Sequence, residues 1–308
     1  MSELEPSGEA RRGLRGAWWV ALAVAVFFVL VASVQIGEVL ESRDREIVGD
    51  GEDPGTYGFD LASFTLPRRA LAAAMTKDHL QPLAVTRLLS PAQVDSLNKA
   101  ERGKYLVPDD RVIGIRIGDR ARAYPLRVLD WHEVANDTLG GVPVAVCWHP
   151  LSGAAVVLDR RHGDEVVELG VSGLVWNSHH LLYDRRPGAA GESLWAPLLA
   201  RAVAGPAAGD SLAVIPSALT TWERWRMAFP RTTVPWPDPA LRAAYKRDPY
   251  GAYGSSDLLR YPVADLPPLG EGQRLKDTLH VGASPAAVVP TFARMHAFRF
   301  AVLALGLR

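Results

Sequence analysis

The sequence predicts an α+β fold, mainly antiparallel β-sheet with short helices, preceded by one N-terminal transmembrane helix. Three observations carry this reading. Residues 18–36, WWVALAVAVFFVLVASVQI, form an uncharged apolar run of about the ~20 residues a helix needs to span a bilayer. Between Arg111 and Asp184, short runs alternate apolar with polar or small residues at the two-residue period of strands. Turn residues separate those runs, drawn from 27 Gly and 23 Pro in 308 residues.

The N-terminal elements divide by charge. Residues 1–15 read as a cytoplasmic tail, 16–37 as the anchor, 38–64 as a charged, Gly-containing tether and 65–308 as an extracytoplasmic domain. Arg11, Arg12 and Arg15 precede the apolar run, whereas Glu38, Glu41, Arg43, Asp44 and Arg45 follow it with mixed sign. The positive-inside rule therefore sets the N-terminus in the cytoplasm and the domain outside a cell membrane that it crosses once. A cleaved signal peptide is the rival, but no clean small-x-small site follows the run. Arg11-Arg12 matches a twin-arginine signal only in part. Basic and acidic residues balance at 34 each, so no global field favours a nucleic-acid partner. A single cysteine, Cys147, excludes any intramolecular disulfide.

Further along, Pro67, Pro82 and Pro91 break residues 64–100 into short helices and extended pieces. Val112, Ile113, Ile115 and Ile117, then Gly118-Asp119, then Ala121, Ala123 and Tyr124 up to Pro125, predict a hairpin followed by a short helix. Strands are expected at 142–148, 154–160, 165–171 and 181–184, and a helix at 220–229 with Trp222, Trp225 and Phe229 on one side. Residues 278–290 read as strand, turn and strand before a helical stretch, a faint echo of the first hairpin. Residues 292–307, interrupted by Arg294, His296 and Arg299, read as a packing helix.

Residues 136–161 hold the most reactive string. On a pleated strand over 142–149, Val142, Val144, Val146 and Trp148 share one face, and Pro143, Ala145, Cys147 and His149 share the other. Cys147 and His149 could share a metal ion or form a thiolate–imidazolium pair. A free Cys is more often a buried hydrophobe, and a lone His a hydrogen-bonded neighbour. A second cluster, Asp130-Trp131-His132-Glu133, offers a ligand, base or acid in His132 and Glu133. Asn136-Asp137 before Gly140-Gly141 reads as turn chemistry. A third string holds Asn177, Ser178, His179, His180 and Asp184; His179 and His180 are adjacent, so in an extended segment at most one is expected to face a given site. No HExxH, paired CxxC, GxSxG or phosphate-binding glycine loop is present. A Ser152–His149–Asp184 set can be assembled on paper, as chance alone would allow.

Together these strings resemble the prokaryotic family catalogued as domain of unknown function 3179. The resemblance spans residues 66–290 and is carried by RVIGIRIGDRARAYPLRVLDWHEVANDTLGGVPVAV (111–146), the PLSG loop, LDRRHGDEVVELGVSGLVWNSHHLLYDRR (158–186), ESLWAPLLARAVAGP (192–206), TTWERW (220–225) and RDPYGAYGSSD (247–257). The family usually shows Tyr-Cys-Pro-Leu-Cys at the strand–loop junction. This chain has Trp148-His149-Pro150-Leu151-Ser152 instead, so His149 and Ser152 stand where the two cysteines would be. Ala196-Pro197 likewise replaces the usual Ser-Gln after the SLW motif. The resemblance implies metal binding or thiol chemistry, and the exchanges exclude a disulfide cycle at this loop. His in place of Cys keeps the capacity to bind Zn or Cu, whereas Ser152 is a poor ligand.

Two function classes follow. The first is a membrane-tethered protein with a residual metal site using His149, His132 and His179 or His180, supported by Cys147 or Glu133. The second is a non-catalytic module in which Trp131, Trp148, Trp176, Trp195, Tyr250 and Tyr253 line a groove for a small molecule or protein partner. A Cys147 thiol enzyme ranks third.

Overall fold

The computed structural model describes residues 47–100, 104–186, 191–236, 239–250, 253, 256 and 258–264, together with Val24 and the backbone of 278–280 and 296–298. The chain divides into two units, Met1–Ile47 and Val48–Arg308. The expected transmembrane helix at 18–36 lies, except for Val24, outside the described residues. Among the described residues, no helix is long and apolar enough to cross a membrane. The second unit begins inside the stretch read as a tether. There Tyr57 is buried and donates its hydroxyl to the Met75 carbonyl at 2.6 Å.

In chain order the strands are β1 (Leu71–Ala73), β2 (Leu83–Ala84), β3 (Leu88–Leu89), β4 (Arg111–Ile117), β5 (Arg120–Pro125), β6 (Val134–Leu139), β7 (Val142–His149), β8 (Ala154–Asp159), β9 (Arg161–His162), β10 (Glu165–Val166), β11 (Glu168–Trp176), β12 (His179–Arg185), β13 (Leu194–Ala196), β14 (Arg201–Ala204), β15 (Val214–Ile215), β16 (Ser217–Thr221), β17 (Val234–Pro235), β18 (Thr278–His280) and β19 (His296–Phe298). The α-helices are α1 (Pro91–Ala100), α2 (Leu126–Leu129) and α3 (Trp222–Ala228). Thr221 caps α3 by accepting from the Arg224 amide. This is the mainly antiparallel α+β architecture expected. One sheet runs β1-β11-β12-β13-β14, a second β15-β8-β7-β6-β2, and a third β16-β4-β5. The single parallel pairing between named strands joins β2 to β6.

The alternation in β7 explains the layering. Val144, Val146 and Trp148 pack into a core with Ile113, Ile115 and Tyr124 of the three-stranded sheet. Ala145 and Cys147, on the opposite face, pack with Leu169, Val171, Leu182 and Trp195 of the β11–β12 sheet. The far face of that sheet buries Leu174, Trp176, Leu181 and Tyr183 against Tyr57, Phe64 and Ala70. β7 is therefore a middle-layer strand apolar on both faces, and its reactive end emerges between two sheets.

Two expectations are corrected. Asn136 and Asp137 lie within β6, not in a turn. The Asn136 amide donates to the Leu169 carbonyl at 2.8 Å and accepts from the Leu169 amide at 3.1 Å, so it ties β6 to β11 as a backbone unit would. Asp137 forms a buried ion pair with Arg122 and accepts from the Tyr124 hydroxyl at 2.6 Å. Near the C-terminus, residues 296–298 form β19, antiparallel to β18, where a helix was expected. The strand expected from 278 is present as β18; the turn and second strand up to 290 lie outside the described residues, as does most of the tail.

Candidate functional site

Two hairpins deliver the site. β7 and β8 turn at Pro150–Gly153, with His149 opposite Ala154 at the strand end. β11 and β12 turn at Asn177-Ser178, which pairs Trp176 with His179. Asn177 and Ser178 both hold positive φ, 51° and 61°, as a two-residue type I′ turn requires. Asn177 also accepts from the Ala264 amide at 2.8 Å.

Where the two tips meet, three imidazoles gather. Ring centroids lie 5.0 Å apart for His149 and His179, 4.9 Å for His149 and His180, and 4.6 Å for His179 and His180. Both neighbouring histidines therefore reach the same site, against the expectation that only one would. Alternation fixes where each Cβ points, but next to a tight turn the strand twists strongly and long side chains can curl over the sheet end.

Ser152 joins two of the rings. Its Oγ lies 2.8 Å from His179 Nδ1 and 3.1 Å from His149 Nδ1. One hydroxyl has one proton to give, so at most one of these nitrogens accepts from it. The other must carry its own proton and donate to Oγ, which leaves that ring's Nε2 as a bare lone pair in the neutral form. His180 is anchored differently, with Nδ1 3.0 Å from Glu133 Oε2. A carboxylate only accepts, so Nδ1–H donates to it. His179 Nε2 and His180 Nε2 are buried with no hydrogen-bond partner among the described residues. Burial pushes the pKa of His149 and His179 well below the usual imidazole value, with the neighbouring His180 adding to the effect. These two are therefore neutral imidazoles at pH 7, the form that coordinates metals.

Glu133 reaches the cluster through an unusual backbone. It follows the turn that closes α2, with its amide donating to the Leu129 carbonyl at 2.7 Å, and it holds φ at 58°. The left-handed region costs a non-glycine residue roughly 1–2 kcal/mol, and such strain gathers at functional sites.

The remaining candidates lie elsewhere. His132 is engaged at both ring nitrogens, by the Gln81 carbonyl at 2.7 Å and the Tyr245 hydroxyl at 2.8 Å, and does not join the cluster. Cys147 is buried one pleat deeper than His149, and burial raises its thiol pKa far above the thiolate range. Asp130 accepts from Trp148 Nε1 at 2.8 Å. Asp184 takes Ser193 and Arg186 as partners, so it completes no triad with Ser152 and His149. Trp176 Nε1 bonds the Pro67 carbonyl, and Trp195 is fully buried. Of the six aromatics expected to line a groove, Tyr250 reaches the site.

A cavity of about 230 Å³ opens beside the cluster, lined in part by Glu133, His149, His180, Tyr250, Arg260 and Tyr261. Its floor is a bulge in β11, where Ser172, Gly173 and Leu174 lie between pairs that register as Val171–Leu182 and Val175–His180. Gly173 holds φ at 82°, and a Cβ there would sit 2.2 Å from the Met75 carbonyl oxygen. His79, Arg260 and Tyr261 carry no motif or period, so no sequence signal marked them.

Among the described residues, no group of three or more His, Cys, Asp or Glu side chains is arranged to hold a metal ion as it stands. The donor chemistry nevertheless suits one: imidazoles held through Nδ1 by an oxygen are how metal-binding histidines are commonly oriented.

A family model described as "Protein of unknown function (DUF3179)" matches residues 89–289. No curated protein and no solved structure matches the chain.

Proposed function

Since the chain belongs to the DUF3179 family, we propose that it is a membrane-tethered, extracytoplasmic member of that family with a histidine metal site at the meeting of two hairpin tips. His149, His179 and His180 are the ligands, and Zn or Cu is the ion that imidazole donors suit. The observation that carries this reading is His180: Glu133 holds its Nδ1, and its buried Nε2 has no partner among the described residues. A buried polar atom left unpaired costs about 1–3 kcal/mol, which an ion would repay. The rings must turn about their side-chain torsions to bring three nitrogens onto one ion. Ser152 and Glu133 are positioning groups on this reading, and His132 and Cys147 take no part. When bound, the ion would supply Lewis acidity or redox capacity at the wall of the cavity.

The test is elemental mass spectrometry of the full-length chain, purified in detergent without metal-affinity resin, beside His180→Ala and His149→Ala. Near-stoichiometric metal that falls in both variants is the expected result. No metal in the native chain after reconstitution with Zn or Cu would overturn the reading. The cavity itself favours a second reading, a binding module that takes a small molecule without a metal.

A further inference from the structure

We infer that the cavity takes a small oxyanion, a carboxylate or a phosphate, whose charge is held by Arg260 while its other end faces His149 and His180. This rests on the metal reading for the wall that reacts, but not for the anchor that binds.

Charge decides the class. Among the described residues, Glu133 is the one carboxylate lining the cavity, and it is engaged by His180. Arg260 lines it as well, is exposed, and pairs with no carboxylate among the described residues. A guanidinium presents a planar fork that matches carboxylate and phosphate oxygens in pairs, and such charge-assisted bonds are among the strongest a small ligand can make. Tyr250 and Tyr261 line the same cavity and bring phenol groups. Burial raises the pKa of both, Tyr250 strongly, so they stay protonated donors near neutrality.

Size decides the scale. Drug-sized ligands occupy roughly 300–1,000 Å³, and this cavity offers about 230 Å³. Such a volume suits a short acid or a phosphate, not a polymer chain. Val171, Gly173, Leu174 and Val175 of the β11 bulge line the cavity, and a side chain at Gly173 would strike the Met75 carbonyl, so the bulge packs closely there only as glycine.

The test uses full-length protein in detergent, titrated calorimetrically with propionate and, separately, with inorganic phosphate, each with and without added Zn. Arg260→Gln and Tyr250→Phe are run alongside, with thermal melts and metal content recorded for each. Saturable binding of one anion is expected, weakened about tenfold or more in Arg260→Gln while its melt and metal content stay native. Whichever of propionate or phosphate binds identifies the head group. Binding of neither anion, or equal binding by Arg260→Gln, would overturn the inference and leave the metal reading standing. Arg260-dependent binding by a protein that takes up no metal would uphold the inference and remove the metal reading alone.

Discussion

Glu133 keeps a left-handed backbone that glycine would adopt without strain, and the carboxylate it presents holds His180. Glu133→Ala and Glu133→Gly remove the same carboxylate, so their difference isolates the backbone term. Denaturant titration should find the glycine variant more stable by about 1 kcal/mol. Equal stabilities would mean that the φ of 58° costs nothing. Asp130 offers a second residue-scale test, through pH. Burial pushes its pKa up to about 6, opposed by the bond from Trp148 and assisted by the charge of Asp248. Between about pH 4 and pH 6 the folded chain holds a proton that the unfolded chain has released, so this carboxyl lowers stability as pH rises through that window and adds nothing further above it. Asp130→Asn retains an acceptor for Trp148 and removes the titration. It should be more stable than native at pH 7, on the order of 1–3 kcal/mol, with the gain gone near pH 4. A gain independent of pH would refute this account.

At the scale of elements, the two turns matter more than the strands they join. Asn177 carries a positive φ and accepts from Ala264, which ties the segment after Arg260 to the tip that sets His179 and His180. Asn177→Ala loses both the left-handed preference and the acceptor, and should cost about 1–3 kcal/mol by thermal or chemical unfolding. Asn177→Gly keeps the turn and should recover part of that. Much of this level was legible in the chain itself. The β4–β5 and β7–β8 hairpins announced themselves by alternation, and the β7 faces divide between two cores as the pleat requires. His149, Ser152, His179 and His180 were readable as candidates because each sits beside a turn. Their convergence was not readable, since it depends on how two sheets stack. Nor was the choice between His132 and Glu133: they are adjacent, and only tertiary contacts give Tyr245 to one and His180 to the other. The cavity wall at Tyr250, Arg260 and Tyr261 comes from a segment without hydrophobic period, where sequence patterns carry no placement.

For the whole molecule, the layered unit and the apolar run at 18–36 make a topological prediction. With a tag after Arg308, the full chain should sediment with membranes, and protease added outside intact spheroplasts should remove the tag. Protection of the tag with retention in the membrane would reverse the proposed orientation, and a freely soluble full-length chain would remove the anchor. The layering also sets a timetable. β6, β7 and β8 are consecutive and pair locally, and β11 and β12 close over two residues. By contrast, β1 meets β11 and β4 meets β16 only across about a hundred residues of intervening chain, and such closures are slow. The histidines stand on two tips that can each fold early, yet they become neighbours only when the sheets dock. Newly made chains would therefore acquire their imidazole cluster in the last folding step, and on the metal reading proposed above an ion supplied before docking would meet a protein not yet able to keep it.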